Sequence, residues 1–295
     1  MPDPSLREKF KSILENELDR LFPTLSLEDP LNALHQAIRH SILSGGKRVR
    51  PLLTLLIAHS YDIPAEKVLG AASAIECIHT YSMIHDDLPA MDDDDFRRGI
   101  PTVHRAYGEA EAILAGDLLL TRSFEIIATD PHLNPDQRRD LIACFATASG
   151  ANGMIGGQFI DIRSKENPGK ITLKELERRH LLKTGALILA SVDAGCCVAG
   201  APKSDGEKFR HFGRCFGLAF QVVDDILDVT SPESKHGRNS DLLNETPTYI
   251  SLMGLEAAQN HADQLLDEAT AALHSIAVPT GELVALVEEL SGRIH

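Results

Sequence analysis

The stretch EKVLGAASAIECIHTYSMIHDDLPAMDDDD, residues 66–95, joins a long apolar segment to a dense cluster of carboxylates. Residues from about 66 to 88 predict a helix that is buried on most sides, with the acidic cluster at its end. Carboxylates in apolar surroundings are costly unless positive charge neutralises them. Hard divalent cations prefer oxygen ligands, and Mg²⁺ commonly takes one or two carboxylates plus substrate phosphates. The stretch therefore predicts one half of a metal site in an all-α protein.

A second acidic cluster lies in AFQVVDDILDVT, residues 219–230. Asp224 and Asp228 are four residues apart and Asp225 and Asp228 are three apart, so on a helix they share one face. The alternative is a solvated helix end that merely carries acidic residues. The apolar neighbours, Val222, Val223 and the residues around them, favour the metal-binding interpretation. Two such clusters facing each other would form a cage for Mg²⁺ and a diphosphate.

The first cluster has a less regular spacing than the second. Asp86 and Asp92 are six residues apart, which an ideal helix places about 240° apart. They can converge only if the helix is distorted between them, and Pro89 is well placed to cause this because it lacks the N–H that a helix requires. The alternative is a polar loop, and we expect Asp94 and Asp95 to be simply solvated.

Basic residues adjoin the acidic clusters. GGKRVRP, residues 45–51, places Lys47 and Arg50 three residues apart after a flexible glycine pair, and Arg97 and Arg98 follow the first cluster directly. The guanidinium fork and the lysine point charge suit diphosphate oxygens. An isolated basic pair usually marks a solvated face, but basic groups next to an acidic metal cluster are a stronger signal.

Composition limits the class of protein. The 295 residues are 43% hydrophobic, enough for a large core, and the net charge of −14 argues against non-specific nucleic-acid binding. Anionic substrates stay possible because metals and local cations reverse the field. The five cysteines include no CxxC pair, which predicts a reduced, cytoplasmic protein. We expect a soluble chain, since no signal peptide and no run of 18 apolar residues is present.

Helical periodicity and capping signals cover most of the chain, and no strand alternation is convincing. Capping boxes at Ser5 and Thr172 predict helix starts. Polar residues 230–247 predict a loop. We expect one all-α domain over residues 1–295, with helices at about 5–21, 31–43, 52–59, 66–88, 110–128, 135–151, 173 onward, 185–200, 204–229 and 249–290, the last broken near Pro279.

Five motifs together resemble the trans-isoprenyl diphosphate synthase family, most closely its bacterial, short-chain, farnesyl-type members. They occur in family order and span most of the chain: GGKRVRP (45–51), IHTYSMIHDDLPAMDDDDFRRGIPTVH (78–104), GMIGGQFIDI (153–162), HLLKTGALI (180–188) and AFQVVDDILDVT (219–230).

The resemblance implies a bundle of ten or more antiparallel helices around a deep central cavity, usually in a homodimer. It implies a prenyltransferase that condenses isopentenyl diphosphate with dimethylallyl and then geranyl diphosphate to give farnesyl diphosphate. It also implies three Mg²⁺ ions, with Mn²⁺ as a possible substitute. Asp86 and Asp92 would hold two ions and Asp224 the third, while Asp87, Asp225 and Asp228 would assist.

The resemblance also assigns the substrate contacts. Arg97 and Lys183 would grip the allylic diphosphate, with Gln158 and Gln221 lining the same side. The isopentenyl diphosphate would need no metal and would be held by Lys47, Arg50, His79 and Arg98. Thr184 and Gln221 would stabilise the allylic cation, and the released diphosphate is the expected base.

The residue at position 81 gives an expectation for the length of the prenyl product. Tyr81 lies five residues before Asp86, so it is roughly 7.5 Å deeper along a helix. A bulky ring there would stop the growing tail after a few isoprene units, and in the family an aromatic here, with the Pro89-Ala90 insertion, is typical of farnesyl producers. The alternative is that Tyr81 is only a core aromatic. Geranyl or geranylgeranyl products are the alternatives for the reaction.

The chain departs from the family pattern in residues 234–247. The family has two lysines there that hold the allylic diphosphate; here the later one is replaced by Thr246 and the earlier one falls near His236, with Lys235 or Arg238 as stand-ins. We expect weaker allylic binding, slower turnover or a changed substrate preference, unless Lys235 and Arg238 compensate. Two competing functions are a class I terpene cyclase, which lacks the isopentenyl site, and a non-catalytic homologue.

Overall fold

A computed structural model describes residues 4–165, 171–230 and 247–293. Fourteen α-helices are present in these ranges: α1 (Pro4–Leu21), α2 (Asn32–Ile42), α3 (Val49–His59), α4 (Leu69–Asp86), α5 (Val103–Tyr107), α6 (Glu109–Thr129), α7 (Pro135–Ser149), α8 (Met154–Lys165), α9 (Leu173–His180), α10 (Ala186–Ala199), α11 (Lys203–Thr230), α12 (Tyr249–Met253), α13 (Leu255–His274) and α14 (Gly281–Ser291). A 3₁₀ turn, Ala65–Lys67, precedes α4, and a π-helical segment, Leu181–Gly185, joins α9 to α10. The all-α prediction is confirmed.

The helix starts follow from local capping chemistry. Thr172 accepts a hydrogen bond from the Glu175 N–H while the Glu175 carboxylate accepts one from the Thr172 N–H, which is the predicted capping box. Asn134 and Gln137 form the same arrangement at the start of α7, with Pro135 in the first turn. The last predicted helix is broken twice, at Gly254 as well as in the segment before Gly281.

Two short elements were not predicted from the sequence. Phe96–Arg97 (β1) and Ile100–Pro101 (β2) pair antiparallel around Gly99, whose φ is +78°. Two residues per strand are too few to show alternation, so the pattern could not reveal this hairpin. The predicted 230–247 loop lies almost wholly outside the described residues, which resume at Pro247.

The buried hydrophobic residues form one cluster that includes Phe10 of α1 and Leu290 of α14. Helix α4 packs against α3, α6 and α10, and α11 packs along α13. Because α4 is buried on several sides, its C-terminal end carries the first acidic cluster towards the interior of the bundle. This arrangement positions the site described below.

One helical stretch, Leu173–Ala199, contains a window long and apolar enough to cross a membrane by length and composition, with a mean hydropathy of 1.6 over that window. Half of its most apolar window is buried inside the protein. It also includes the charged residues Lys183 and Asp193, which are costly at the centre of a membrane and favour a helix buried within the protein over a lipid-facing one.

Helices α3 and α10 cross so closely that only glycine fits at Gly195. A Cβ built there would lie 2.8 Å from the Thr54 carbonyl oxygen and 2.8 Å from the Ile57 Cβ. We expect Gly195→Ala to destabilise the protein by about 1–3 kcal/mol through overpacking. A thermal melt should show the midpoint falling by about 2–4 °C per kcal/mol.

Gly206→Ala in α11 is the matched control, because nothing lies within 4 Å of a Cβ at that position. Alanine has the higher helix propensity, so this variant should match or slightly exceed the wild-type midpoint. Equal midpoints for the two variants would contradict the close crossing of α3 and α10.

Candidate active site

A cavity of about 580 Å³ brings together most of the residues singled out in the sequence. It lies between α3, α4, the π-helical segment and α11, with the 96–101 hairpin at its edge. The predicted residues that line it are Lys47, Arg50, His79, Arg97, Arg98, Thr184, Gln221, Asp224 and Asp228. Cations and carboxylates distant in sequence thus share one cavity.

The basic wall of the cavity is built around Arg50. Its Nη1 lies 3.3 Å from the His79 Nε2, and its buried Nε has no hydrogen-bond partner in the described part of the chain. Burial lowers the pKa of Arg50 to about 10, so it stays charged near neutrality, whereas burial and the Arg50 charge lower the pKa of His79 well below its usual value. The wall therefore pairs a guanidinium cation with a neutral imidazole.

Two further cations complete this wall. Arg98, in a left-handed conformation with φ +54°, donates to the Ser44 Oγ at 3.2 Å and to the Gly45 carbonyl oxygen. The Lys47 ammonium lies 5.9 Å from the centroid of the Phe220 ring. Burial lowers the pKa of Lys47, with the nearby Arg293 adding to the effect.

Arg48, which sequence reasoning passed over, fixes the segment that carries Lys47 and Arg50. Arg48 is 3% exposed and left-handed, with φ +51°. Its guanidinium pairs with the buried Glu76 at 2.5 Å and with Glu15 at 2.7 Å. The sequence showed the GGKR run. Its spacing could not indicate that Arg48 is buried while Lys47 and Arg50 form the basic wall.

The aspartates of the first acidic cluster come together because α4 ends at Asp86, and not because the helix continues in a distorted form. The helix stops at Asp86, and the chain turns back so that the Asp92 N–H donates to the Asp86 carbonyl oxygen at 2.9 Å. Asp93 adopts φ +52° in this turn. Burial raises the pKa of the Asp86 carboxyl to about 7; the Lys183 ammonium acts against this shift and the Asp92 carboxylate adds to it.

Arg97 is held within the first cluster. Its guanidinium pairs with the buried Asp87, with Nη2 2.5 Å from Oδ1, and with Asp94 at 3.3 Å. The expectation that Asp94 is simply solvated is therefore wrong, because it helps to hold Arg97. Asp95 is half exposed and pairs with Arg105 at 2.5 Å.

Lys183 and Thr184 lie in the π-helical segment, a type of wide turn that is frequent at functional sites. Gly157 of α8 packs directly on this segment, since a Cβ there would lie 2.2 Å from the Lys183 backbone nitrogen. The Lys183 Nζ contacts the Asp161 Oδ2 at 2.7 Å, and Asp161 also pairs with Arg179 at 3.0 Å. Asp161 was missed, although it lies in the GMIGGQFIDI motif.

Gln158 lies one helical turn before Asp161 on α8 and is 8% exposed. Neither its amide oxygen nor its amide nitrogen has a hydrogen-bond partner among the described residues. A buried amide without partners costs about 1–3 kcal/mol, so this side chain fits a position that a ligand satisfies.

The second cluster divides its carboxylates between two environments. Asp225 is 9% exposed and accepts a hydrogen bond from the Tyr249 backbone N–H at 2.7 Å, which fixes the start of α12. Asp224 and Asp228 line the cavity. Arg293, which sequence reasoning also missed, lines the cavity and lies 3.7 Å from Asp224.

Comparison with known proteins matches this arrangement to a family. The polyprenyl synthetase family model matches residues 31–277. The chain belongs to the polyprenyl synthetase family.

Several relatives of this polyprenyl synthetase cover nearly its full length. It is 39% identical to farnesyl diphosphate synthase of Bacillus subtilis (strain 168) over 97% of the chain and 96% of that protein. It is also 43% identical to geranylgeranyl pyrophosphate synthase 7, chloroplastic, of Arabidopsis thaliana over 87% of the chain and 74% of that protein.

Solved structures share the fold. An FPP/GFPP synthase from Zymomonas mobilis superposes with a TM-score of 0.87 at 35% identity, over 97% of this chain and 98% of that one. A geranyltransferase from Helicobacter pylori, complexed with magnesium and isoprenyl diphosphate, gives 0.82 at 33% identity, over 100% and 97%. The isoprenoid synthase fold expected from the sequence is confirmed.

The residues of this polyprenyl synthetase fit magnesium. The two clusters offer carboxylate oxygens only, which is the donor set that a hard divalent cation prefers. The pKa of the Asp86 carboxyl is raised because burial penalises its negative charge more than the neighbouring cations offset. A bound metal ion would supply the missing positive charge. The buried Gln158 amide has no hydrogen-bond partner among the described residues. It can therefore bond to a water molecule on the ion or to a phosphate oxygen.

The pKa of Asp86 gives a pH dependence of stability in the metal-free protein. Its folded-state pKa of about 7 exceeds the ordinary value of 3.8, so its contribution is fully present below about pH 4 and is lost as pH rises through about 7. We expect Asp86→Asn to stabilise the EDTA-treated protein relative to wild type at about pH 8, and this advantage to shrink progressively as the pH falls through about 7 towards about 4.

Paired thermal melts of the wild type and Asp86→Asn across this pH range measure the difference. The matched control is Asp62→Asn, which removes an exposed carboxylate at a turn distant in sequence from the cluster. A difference for Asp86→Asn that stays constant with pH would contradict the raised pKa.

Proposed function

We propose that this polyprenyl synthetase catalyses the Mg²⁺-dependent head-to-tail condensation of isopentenyl diphosphate with dimethylallyl and then geranyl diphosphate, giving farnesyl diphosphate and pyrophosphate. One observation carries the proposal: a single cavity has a carboxylate wall, with Asp224 and Asp228, and a basic wall, with Lys47, Arg50 and Arg98. A reaction between two diphosphates, one bound through metal and one without, needs both walls side by side.

The carboxylate wall would receive the allylic diphosphate. Asp86, Asp92 and Asp224 would hold three Mg²⁺ ions, assisted by Asp228. Metal held by these carboxylates would supply positive charge against the negative charge that develops on the leaving diphosphate.

Asp87 and Asp225 would assist indirectly in this proposal. The contact between Asp87 and Arg97 keeps that guanidinium at the rim of the cavity, and the contact between Asp225 and Tyr249 holds the second cluster against α12. Asp161 would similarly hold the Lys183 ammonium beside Asp86.

The basic wall would receive isopentenyl diphosphate without metal. Arg50, Arg98 and Lys47 supply positive charge, and the neutral His79 offers a hydrogen bond without adding to the repulsion among them. Arg48 would position this wall through its buried pair with Glu76.

The polar groups between the two walls would serve the reacting carbon atoms. Thr184 and Gln221 line the cavity, where their oxygens can stabilise the allylic cation after the C–O bond breaks. The isopentenyl alkene then attacks the cation, and the departing diphosphate takes up the proton that is lost. Closure of the cavity must exclude water, which would otherwise trap the cation as an alcohol.

The test is product analysis with labelled isopentenyl diphosphate, Mg²⁺ and either dimethylallyl or geranyl diphosphate. We expect farnesyl diphosphate from both allylic substrates and none after EDTA treatment. Cyclised hydrocarbon from geranyl or farnesyl diphosphate alone would instead indicate a terpene cyclase. No product from a folded protein would support the non-catalytic alternative and direct attention to residues 234–247, of which 234–246 lie outside the described residues.

Farnesyl rather than geranylgeranyl specificity is supported by the packing around Tyr81. Its ring is 5% exposed on α4 and meets the His85 imidazole edge-on at 5.8 Å between centroids. His85 is itself fixed, because its Nε2 lies 3.1 Å from the Ile113 carbonyl oxygen and against Gly116, where no Cβ fits. These contacts hold the Tyr81 ring in place, so that it would stop a growing tail.

We expect Tyr81→Ala to shift the main product from farnesyl to geranylgeranyl diphosphate or longer, because it removes the ring that we propose limits the growing tail. The measurement is chromatography of the dephosphorylated products. Tyr81→Phe keeps the ring and should keep the product length. Farnesyl diphosphate as the unchanged product of Tyr81→Ala would show that the ring is only a core aromatic.

We propose a homodimer that uses the faces of α6 and α8. Four of the ten exposed large hydrophobic side chains in the described ranges lie on these two helices, Ile113 and Leu114 on α6 and Ile155 and Phe159 on α8, each 45–59% exposed. Such side chains favour burial against another surface, and a second copy of the chain is the occupant proposed here.

We expect Phe159→Glu combined with Leu114→Glu to lower the molar mass in size-exclusion chromatography with light scattering to that of a monomer. Charges in an apolar interface are costly to desolvate. Leu27→Glu, at an 88% exposed position outside α6 and α8, is the control and should leave the mass unchanged. A wild-type protein that is already monomeric would contradict the proposal.

We further propose that residues 1–295 form one polyprenyl synthase domain and that the protein is cytoplasmic. Helices α1 and α14 extend beyond the 31–277 family match, yet their side chains belong to the same hydrophobic core as the matched part. All five cysteines are free thiols, which suits a reducing compartment.

A further inference from the structure

We propose that His211, Cys215 and Glu268 form a Zn²⁺ site on the surface between α11 and α13. Each residue offers one ligand atom, and these three atoms all lie within 4.8 Å of one another. None of the three residues lines the 580 Å³ cavity, which is lined by Asp224 and Asp228 of the second carboxylate cluster. The inference does not depend on the proposed reaction.

The geometry is close to that of a zinc centre. His211 and Cys215 are four residues apart on α11 and so share a face, which α13 meets with Glu268. The Cys215 Sγ lies 4.0 Å from the His211 ring nitrogens and 3.6 Å from the Glu268 Oε2, and the His211 Nε2 lies 3.9 Å from that same oxygen.

Tetrahedral zinc, with bonds of about 2.0–2.3 Å, places its ligand atoms roughly 3.3–3.6 Å apart. The three atoms therefore need to approach by only a few tenths of an ångström. Because the His211 and Glu268 side chains are 55% and 60% exposed, rotation of these two can supply the approach without moving either helix.

The donor types select zinc over magnesium. A nitrogen, a sulfur and a carboxylate oxygen form a set that suits Zn²⁺, whereas Mg²⁺ prefers oxygen donors alone. The Cys215 sulfur is buried while the other two ligands reach solvent, so a water molecule can complete the tetrahedron. The thiolate and the carboxylate together balance the two positive charges of the ion.

Binding has a cost that sets its pH dependence. Burial, with the Glu268 carboxylate, raises the pKa of the Cys215 thiol to about 11, and only the charge of Arg214 acts against this. The S–H bond therefore breaks as the S–Zn bond forms, and one proton leaves to solvent. The ion then links α11 to α13, so it should raise the melting temperature of the folded protein.

The experiment is a Co²⁺ titration of the full-length, EDTA-stripped protein in an excess of Mg²⁺, which occupies the carboxylate clusters. We expect a thiolate-to-Co²⁺ charge-transfer band that saturates at one equivalent and is displaced by Zn²⁺. We expect Cys215→Ser to lose the band, and His211→Ala and Glu268→Gln each to weaken Co²⁺ binding at least tenfold, as removing a ligand does.

Cys197→Ser is the matched control, because it removes a different, half-buried thiol and should keep the band. The proposal is overturned if no charge-transfer band forms, or if the band survives in Cys215→Ser. It is also overturned if His211→Ala, whose exposed side chain can be removed without disturbing the core, binds Co²⁺ as tightly as wild type. Retention of a normal melting curve in the metal-free variants shows that each result comes from a folded protein.

Discussion

The burial of carboxylates inside an apolar bundle is the constraint on which the rest of this structure depends. An uncompensated buried charge costs several kcal/mol, so the fold must supply a partner for each one or leave room for a cation. In both clusters a buried carboxylate contacts a neighbouring protein group directly. Asp87 pairs with Arg97, and Asp225 accepts the Tyr249 N–H.

These fixed contacts also determine where the neighbouring carboxylates lie. With Asp87 turned to Arg97 at the end of α4, the chain reverses and the Asp92 N–H reaches the Asp86 carbonyl oxygen. With Asp225 turned to α12, Asp224 and Asp228 face the cavity one helical turn apart. In the proposed site, carboxylates held by the protein would thus alternate along each cluster with carboxylates that bind the metal.

The sequence predicted the helices and most of the cavity because both depend on regular spacing. Apolar periodicity gave the helix positions, and the i, i+4 spacing placed Asp224 and Asp228 on one face. The supporting contacts have no such signature. Arg48 meets Glu76 across 28 residues and Lys183 meets Asp161 across 22, on helices whose relative packing a single sequence does not specify. The turn that joins Asp92 to Asp86 was anticipated as a distortion because Pro89 was visible, but its hydrogen bond was not.

The proposed function requires one cavity in a chain of net charge −14 to receive two diphosphates. A diphosphate at the carboxylate wall meets like charge and can stay only when divalent cations lie between them. A diphosphate at the basic wall would meet Arg50, which stays charged near neutrality because its pKa, although lowered by burial, is about 10. A lysine at such a position would lose its proton more readily on burial, whereas a guanidinium keeps its charge and its fork of donors. In the proposed reaction, the two walls would distinguish their ligands by whether a metal accompanies them, which is a criterion of charge and does not require a difference in the shape of the two diphosphates.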